Sequence, residues 1–279
     1  MNLWYQICDV LPFEMLHWDF MKNALLAIFL ITPLLGLTST MIVTGRMSFF
    51  SDALGHSAFT GIAIGAICGI AAPTWVAIVF SLIFSLLFSF VRSKSNQAAD
   101  TLIGVFSSTA VALGIFIATL DGGSFTKYNK YLIGDILSVT PTEIAILGIV
   151  LIAVIIYWCS ASNKLILCAV HPQLASSRGI HINLTQTIFT AAVSVIVTLS
   201  ISWVGLLILN SLLVLPGAAS RNIAKNMKEY HLFSVLIALF AGIIGLLISY
   251  ALGSSAGAAI SLVLAVFFTL SFLLRKVKT

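Results

Sequence analysis

The chain has 279 residues, of which 60% are hydrophobic and only 8% are charged, and its formal net charge is +5. Soluble domains carry about 25% charged residues, so this chain lacks the polar side chains that a water-facing surface needs. The composition excludes an ordinary soluble enzyme. The few basic residues lie in short loops, which argues against a nucleic-acid-binding surface and for a membrane protein.

Nine apolar stretches follow one another along the chain, and they are continuous rather than alternating, which predicts helices. A span needs about 20 apolar residues, and its backbone must be satisfied within the helix because lipid offers no hydrogen-bond partners. We therefore predict an all-α, polytopic membrane bundle of eight or nine transmembrane helices. The predicted spans are at about 24–43, 54–72, 74–91, 102–120, 142–159, 185–203, 205–219, 232–252 and 255–274.

Turn residues mark several helix ends. Thr140-Pro141-Thr142-Glu143 is typical of a capping box with proline at the first helical position. Pro73 separates the second span from the third, and Gly205 gives a weak break between the sixth and the seventh. The seventh is predicted as a half-span that ends at Leu215-Pro216-Gly217.

Lysine and arginine in the short loops predict the orientation. With nine crossings, every basic cluster but one falls on a single side, which is the cytoplasm. The exception is the loop at 121–141, whose two lysines are accompanied by two aspartates. We expect an extracytoplasmic segment 1–23, a single transmembrane domain 24–274 with a cytoplasmic loop at about 160–184, and a cytoplasmic tail 275–279. The N-terminus has neither the basic start nor the cleavage site of a secretory leader, so we expect no cleavable signal.

Asp52 and His56 are the candidate metal-binding residues, in the segment that opens the second span. Residues i and i+4 share a helix face, so one carboxylate oxygen and one imidazole nitrogen can meet the same divalent cation. This donor pair suits zinc, manganese or iron. An alternative explains the same residues structurally: Ser51 or Asp52 caps the helix, and His56 hydrogen-bonds a neighbouring span.

Two other aspartates have simpler interpretations. Asp100 opens the fourth span, where an N-cap is the preferred role. Asp135 either lines an outer vestibule or is a loop residue, and its chemistry does not separate the two.

The inner loop contains a predicted short helix, with Pro172 at its first position and Gly179 as its stop signal. Such a helix on the cytoplasmic face would suit docking of another subunit, or it would rest on lipid. The chain has no GxxxxGK[ST] phosphate loop, so we expect ATP hydrolysis, if any, in a separate subunit. The four cysteines show no CxxC spacing, and the last three, which lie within or beside apolar runs, are expected to act as small hydrophobic residues.

Several segments together resemble the permease subunits of bacterial ABC importers for zinc, manganese or iron. The matching stretches occur in the family's order: Met47–Gly61, Asp100–Gly114, Tyr131–Pro141, Ala169–Ile180, Leu212–Arg221 and Gly242–Val263. The resemblance implies a type II importer fold, a permease homodimer, two cytoplasmic ATP-binding subunits and an extracytoplasmic metal-binding protein. It also implies a bacterial plasma-membrane location, with membrane lipid as a partner, no nucleic acid and no stably bound cofactor.

The resemblance assigns roles to individual residues as well. Asp52 and His56 match the positions thought to meet the transported ion, which is zinc or manganese in our prediction, with iron less favoured. The ATPase-coupling segment matches His171, Pro172, Gln173, Leu174, Ala175, Ser176, Ser177, Arg178 and Gly179. Family members usually carry acidic residues where this chain has His171 and Gln173, so the docking charge differs.

Two other functions remain open from the sequence. A proton-coupled secondary transporter, with Asp52 or Asp100 as the proton carrier, would take up its substrate without an ATPase. A non-transporting membrane scaffold would show no dependence on any substrate.

Overall fold

The computed structural model describes residues 4–6, 8, 14–70, 73–120 and 136–275. Regular structure in these residues is helical throughout, which confirms the all-α prediction. The α-helices are α1 (Asp19–Thr44), α2 (Phe50–Ile67), α3 (Pro73–Lys94), α4 (Ala99–Leu120), α5 (Pro141–Val170), α6 (Pro172–Ser177), α7 (Ile182–Ile223), α8 (Met227–Leu252) and α9 (Ala256–Arg275). Glu14–His17 and Ile136–Ser138 form short 3-10 turns.

Eight helical segments in the described residues are long and apolar enough to cross a membrane, which is the lower of the two predicted numbers. They are α1, α3, α4, α5, α8, α9 and the two parts of α7, Ile182–Ile201 and Trp203–Ile223. The predicted break within α7 is confirmed, because Gly205 has non-helical torsion angles of φ 80° and ψ 162°. The remaining predicted span corresponds to α2, which is 18 residues long and interrupted by Asp52 and His56.

Helix α3 shows how such a segment meets lipid. Its large side chains at Trp75, Val79, Ile83 and Phe90 are all more than half exposed. Because three of these residues follow one another at spacings of four, they form an apolar stripe along one side of the helix. Hydrocarbon chains can solvate such a stripe, whereas water cannot do so favourably.

The start of α5 confirms the predicted capping box. Glu143 Oε2 accepts hydrogen bonds from the Thr140 backbone N–H and hydroxyl, both at 2.8 Å, and Pro141 is the first helical residue. The end of α5 was predicted too early: the helix continues beyond 159 to Val170, so the predicted loop at 160–184 begins as helix.

The predicted half-span in the second part of α7 is wrong, since the helix continues through Pro216 to Ile223. Proline in a helix normally removes one backbone hydrogen bond and clashes with the preceding turn. Here Gly217 N–H donates to Ser39 Oγ of α1 at 2.9 Å, so a tertiary contact supports the helix beside the proline.

The chain divides into two compact units. The first takes its described residues from Met1–Thr40, Asp135–Tyr157 and Trp203–Thr279. Glycines allow its helices to approach closely: a Cβ on Gly245 of α8 would lie 2.6 Å from the Ile260 Cα of α9. Ser234 of α8 adds a buried hydrogen bond to the Gly36 carbonyl of α1 at 2.6 Å.

The second unit takes its described residues from Met41–Gly134 and Trp158–Ser202. Helix α2 packs against both α3 and α4 in this unit. A small core of Phe59, Ile62, Ala63, Ala77 and Ala118 joins the three helices. This unit contains both sequence-predicted site segments, which are α2 and the short helix α6.

Candidate functional site

Asp52 and His56 are exceptions on an otherwise buried helix. From Phe50 to Ala63, every residue of α2 is buried except these two. The Asp52 side chain is 42% exposed and the His56 side chain 27% exposed. Ionisable groups at membrane depth are costly unless they are paired or face a polar path, so a partly exposed pair on a buried helix is a functional candidate.

The two side chains contact each other. His56 Nε2 lies 3.4 Å from Asp52 Oδ2, as the i, i+4 spacing predicted. Two ligand atoms, each about 2.1 Å from a tetrahedral zinc ion, are about 3.4 Å apart. A single ion could therefore bind both atoms with little movement of either side chain.

Two hydroxyl groups hold α2 in this orientation. Ser57 Oγ donates to Ser81 Oγ of α3 at 3.0 Å. Thr60 Oγ1 donates to the Ala110 carbonyl of α4 at 2.7 Å and also lies within 3.0 Å of the His56 carbonyl. Because these hydroxyls bind neighbouring helices, they limit rotation of α2 about its own axis.

The sequence analysis did not identify Ser57, Thr60 or Gly61 as supporting residues. A Cβ on Gly61 would lie 2.5 Å from the Ala77 Cα of α3, so only glycine allows this approach of the two helices. The signal was present in the sequence, since Gly61-x-x-x-Gly65 has the spacing of small residues that favours close packing of membrane helices.

Aromatic side chains fix the beginning of α2. Phe50 packs against Phe88 of α3 with ring centroids 4.8 Å apart, and Phe88 contacts Phe106 of α4 at 5.4 Å. Phe50 and Phe88 are almost completely buried. The first turn, which carries Asp52, is thus held at a defined position against both neighbouring helices.

The alternative in which Ser51 or Asp52 is the N-cap of α2 is wrong. The N-cap of α2 is Phe49, which makes no side-chain capping hydrogen bond, so neither Ser51 nor Asp52 is the cap. Ser51 Oγ instead lies 3.4 Å from the Ser48 carbonyl. Asp52 still belongs to the first turn, where the helix dipole favours a negative charge.

The described residues include no group of three or more His, Cys, Asp or Glu side chains that would hold a metal. The Asp52 and His56 pair therefore offers two protein ligands within the described part of one chain. A structural zinc site uses four ligands, so this pair would leave coordination positions open for water or for other donors.

Among the described residues, Asp100 does not join this pair in a metal-binding group. Helix α4 begins at Ala99, so Asp100 lies within the first turn and is not the N-cap that we predicted. Its side chain is exposed, and its charge still lies at the favourable end of the helix. Asp135 lies outside the described residues.

The short helix α6 (Pro172–Ser177) confirms the predicted secondary structure of the coupling segment. Pro172 is its first residue, and Gly179 stops it with a φ of +73°. From His171 to Gly179 only Ala175 is buried. Leu174, which is 45% exposed, and Pro172 add apolar side chains to a surface that is otherwise polar.

Comparison with known proteins gives consistent matches over nearly the whole chain. The model of the ABC 3 transport family matches residues 17–275. The chain is 29% identical to the high-affinity zinc uptake system membrane protein ZnuB of Haemophilus influenzae, covering 88% of this chain and 93% of that protein. It is also 29% identical to the manganese import system permease protein ScaB of Streptococcus parasanguinis, covering 92% and 91%.

A solved structure gives the same result for the fold. The chain superposes on a chain of PsaBC from Streptococcus pneumoniae in complex with Fab, with a TM-score of 0.80 and 26% identity. The match covers 98% of this chain and 95% of the other. The chain therefore belongs to the ABC 3 transport family, as a multi-pass membrane protein.

Proposed function

We propose that this chain is the permease subunit of an ATP-driven importer of zinc or manganese ions, with iron as a less favoured substrate. The observation that carries the proposal is the contact of Asp52 and His56 on a helix that is otherwise buried from Phe50 to Ala63. Relatives named for zinc uptake and for manganese import support the substrate class.

In this proposal, an extracytoplasmic binding protein releases the ion to the permease, and Asp52 and His56 hold it in transit. A second copy of the chain would supply another such pair, so that two copies together provide four ligands. Carboxylate oxygen and imidazole nitrogen suit both zinc and manganese, and the imidazole slightly favours zinc. Selection between the metals then depends mainly on the delivery protein.

The energy would come from a separate ATPase subunit docked on α6 and its flanking residues, His171 to Gly179. The exposed residues of this segment are mostly polar, with two apolar side chains at Pro172 and Leu174. No acidic residue lies in this segment, so we expect the partner surface to differ in charge from partners of relatives with acidic residues there. Movement of α6 during the ATPase cycle would switch access to the metal site.

Uptake of radioactive zinc and manganese by cells expressing Asp52→Asn or His56→Ala tests the proposal. Loss of a metal ligand should lower uptake by roughly tenfold or more, since even outer-shell changes at metal sites cost 10–100-fold. Asp100→Asn and His181→Ala are matched controls, because both wild-type side chains are exposed and lie in the same unit. Wild-type uptake by both Asp52→Asn and His56→Ala, at normal expression, would refute the proposed site.

The same assay separates the rival mechanism. A proton-coupled transporter would lose uptake when an uncoupler is added and would need no ATPase. The proposed importer should instead lose uptake when the partner ATPase carries an inactivating substitution. Retained uptake without a functional ATPase would refute the ATP-driven mechanism while leaving the metal site untouched.

A further inference from the structure

A cavity of about 300 Å³ lies within the second unit, where several helix ends meet. Its lining includes the turn after α1, the last turns of α3 and α5, the beginning of α7 and Pro172, the first residue of α6. It is separate from the Asp52 and His56 pair, because neither residue lines it. Nothing in the proposed transport of metal requires this space.

The lining carries positive charge without a compensating carboxylate. Arg46 and Arg92 both line the cavity, and no Asp or Glu is among the described residues around it. Arg92 Nη1 donates to Met47 Sδ at 2.9 Å. A thioether sulfur is a weak acceptor and a guanidinium has five N–H donors, so Arg92 retains donors for a stronger, anionic acceptor.

Charge and apolar lining together indicate the class of ligand. Arginine binds phosphate oxygens through paired N–H groups. Met41, Leu165 and Phe189 add apolar walls, which inorganic phosphate would leave without a partner. A phospholipid has both parts, since its phosphate would meet the arginines and its glycerol and first acyl carbons would meet the apolar walls.

The position of the cavity agrees with a lipid source. Arg46 and Arg92 lie in the segments that the charge distribution predicts to be cytoplasmic, at the ends of membrane-spanning helices. Basic pockets between transmembrane helices on that side are suited to anionic headgroups. We propose that this cavity binds the phosphate of an anionic phospholipid of the inner leaflet, with Arg46 and Arg92 as the principal contacts.

Bound lipid would also affect α6. Cys168, near the end of α5, and Pro172, the first residue of α6, both line the cavity. An occupant would therefore restrict movement of α6 relative to Arg46 and Arg92. The proposal predicts that anionic lipid stabilises the chain even when no metal is present. A failure of this prediction would therefore refute lipid binding without bearing on the proposed transport function.

The test measures thermal unfolding of the delipidated full-length protein in detergent, titrated with short-chain phosphatidylglycerol. Phosphatidylcholine and inorganic phosphate are titrated separately. We expect phosphatidylglycerol to raise the unfolding temperature at the lowest concentration. Arg92→Gln should weaken its binding by about fivefold, as expected when one basic residue worth about 1 kcal/mol is removed. Lys94→Gln is the matched control, because it removes one charge from the same helix end but does not line the cavity.

A second pair of variants guards against misfolding of Arg92→Gln. Arg46→Asn removes the other guanidinium at a position with φ +53°, which asparagine tolerates, and should weaken binding similarly. Arg92→Lys keeps the charge and should bind more tightly than Arg92→Gln. Equal stabilisation by phosphatidylcholine, full reproduction by inorganic phosphate, or unchanged lipid affinity in Arg92→Gln and Arg46→Asn would each overturn the proposal.

Discussion

Gly61 lies at a close approach of α2 to α3, and replacing it with alanine should force the two helices apart. The added Cβ would lie 2.5 Å from the Ala77 Cα and 3.1 Å from the Ala77 backbone N. Both atoms belong to the backbone of α3, so no flexible side chain can move to make room. The helix that carries Asp52 and His56 would have to shift as a unit.

Two effects determine how much Gly61→Ala changes the free energy of unfolding. Overpacking of a well-packed core costs about 1–3 kcal/mol, and a backbone clash belongs at the upper end of that range. Alanine also favours a helix over glycine by about 1 kcal/mol, which offsets part of the clash. We therefore expect Gly61→Ala to destabilise the protein by about 2 kcal/mol.

Gly104→Ala is the control, because a Cβ on Gly104 of α4 would meet nothing within 4 Å. It carries the helix-propensity gain without the clash, so it should leave stability unchanged or raise it by up to about 1 kcal/mol. Thermal unfolding of both variants in the same detergent measures the difference. If Gly61→Ala unfolds at the same temperature as Gly104→Ala, the close approach of α2 and α3 is not as we describe it.

Two further variants test single contacts in the first unit by the same unfolding measurement. Gly205→Ala should cost about 1–3 kcal/mol, because φ 80° and ψ 162° lie in a region that is essentially restricted to glycine; an unchanged unfolding temperature would contradict the kink in α7. Ser39→Ala should cost about 1–3 kcal/mol, because it removes the acceptor of the buried Gly217 N–H. Ser93→Ala is its control, since that exposed hydroxyl bonds only within its own helix, and equal stability of the two would argue against the Gly217 contact.

Features set by local backbone chemistry were predictable from the sequence. The capping box at Thr140 and Glu143 needs only residues three positions apart, and the bounds of α6 follow from Pro172 and Gly179. The Asp52 and His56 contact is local in the same sense, because one helical turn brings the two side chains together. A helix prediction was sufficient to pair them.

Features that depend on distant residues were not predictable in this way. Pro216 indicates a helix end when considered locally, yet α7 continues because Ser39, 178 residues away in sequence, binds Gly217. The burial of α2 around its two polar side chains also depends on α3 and α4. The cavity likewise depends on Arg46 and Arg92 lining the same space, and nothing in the local sequence around either residue predicts this.

The geometry of α2 is consistent with brief binding of an ion rather than storage. Asp52 lies in the first turn, where the helix dipole stabilises its negative charge by up to about 1 kcal/mol and so makes the carboxylate a less avid metal ligand. In the proposed site, two ligands per chain would leave coordination positions open, so that water could replace a ligand supplied by the delivery protein. The packing of Phe50, Ser57 and Thr60 holds the helix that carries Asp52 and His56, so ion binding by the proposed pair would require little reorganisation of the helix. In the proposed importer, a weak but preorganised pair allows fast capture and fast release, and a tighter closed site would slow transport by retaining its ion.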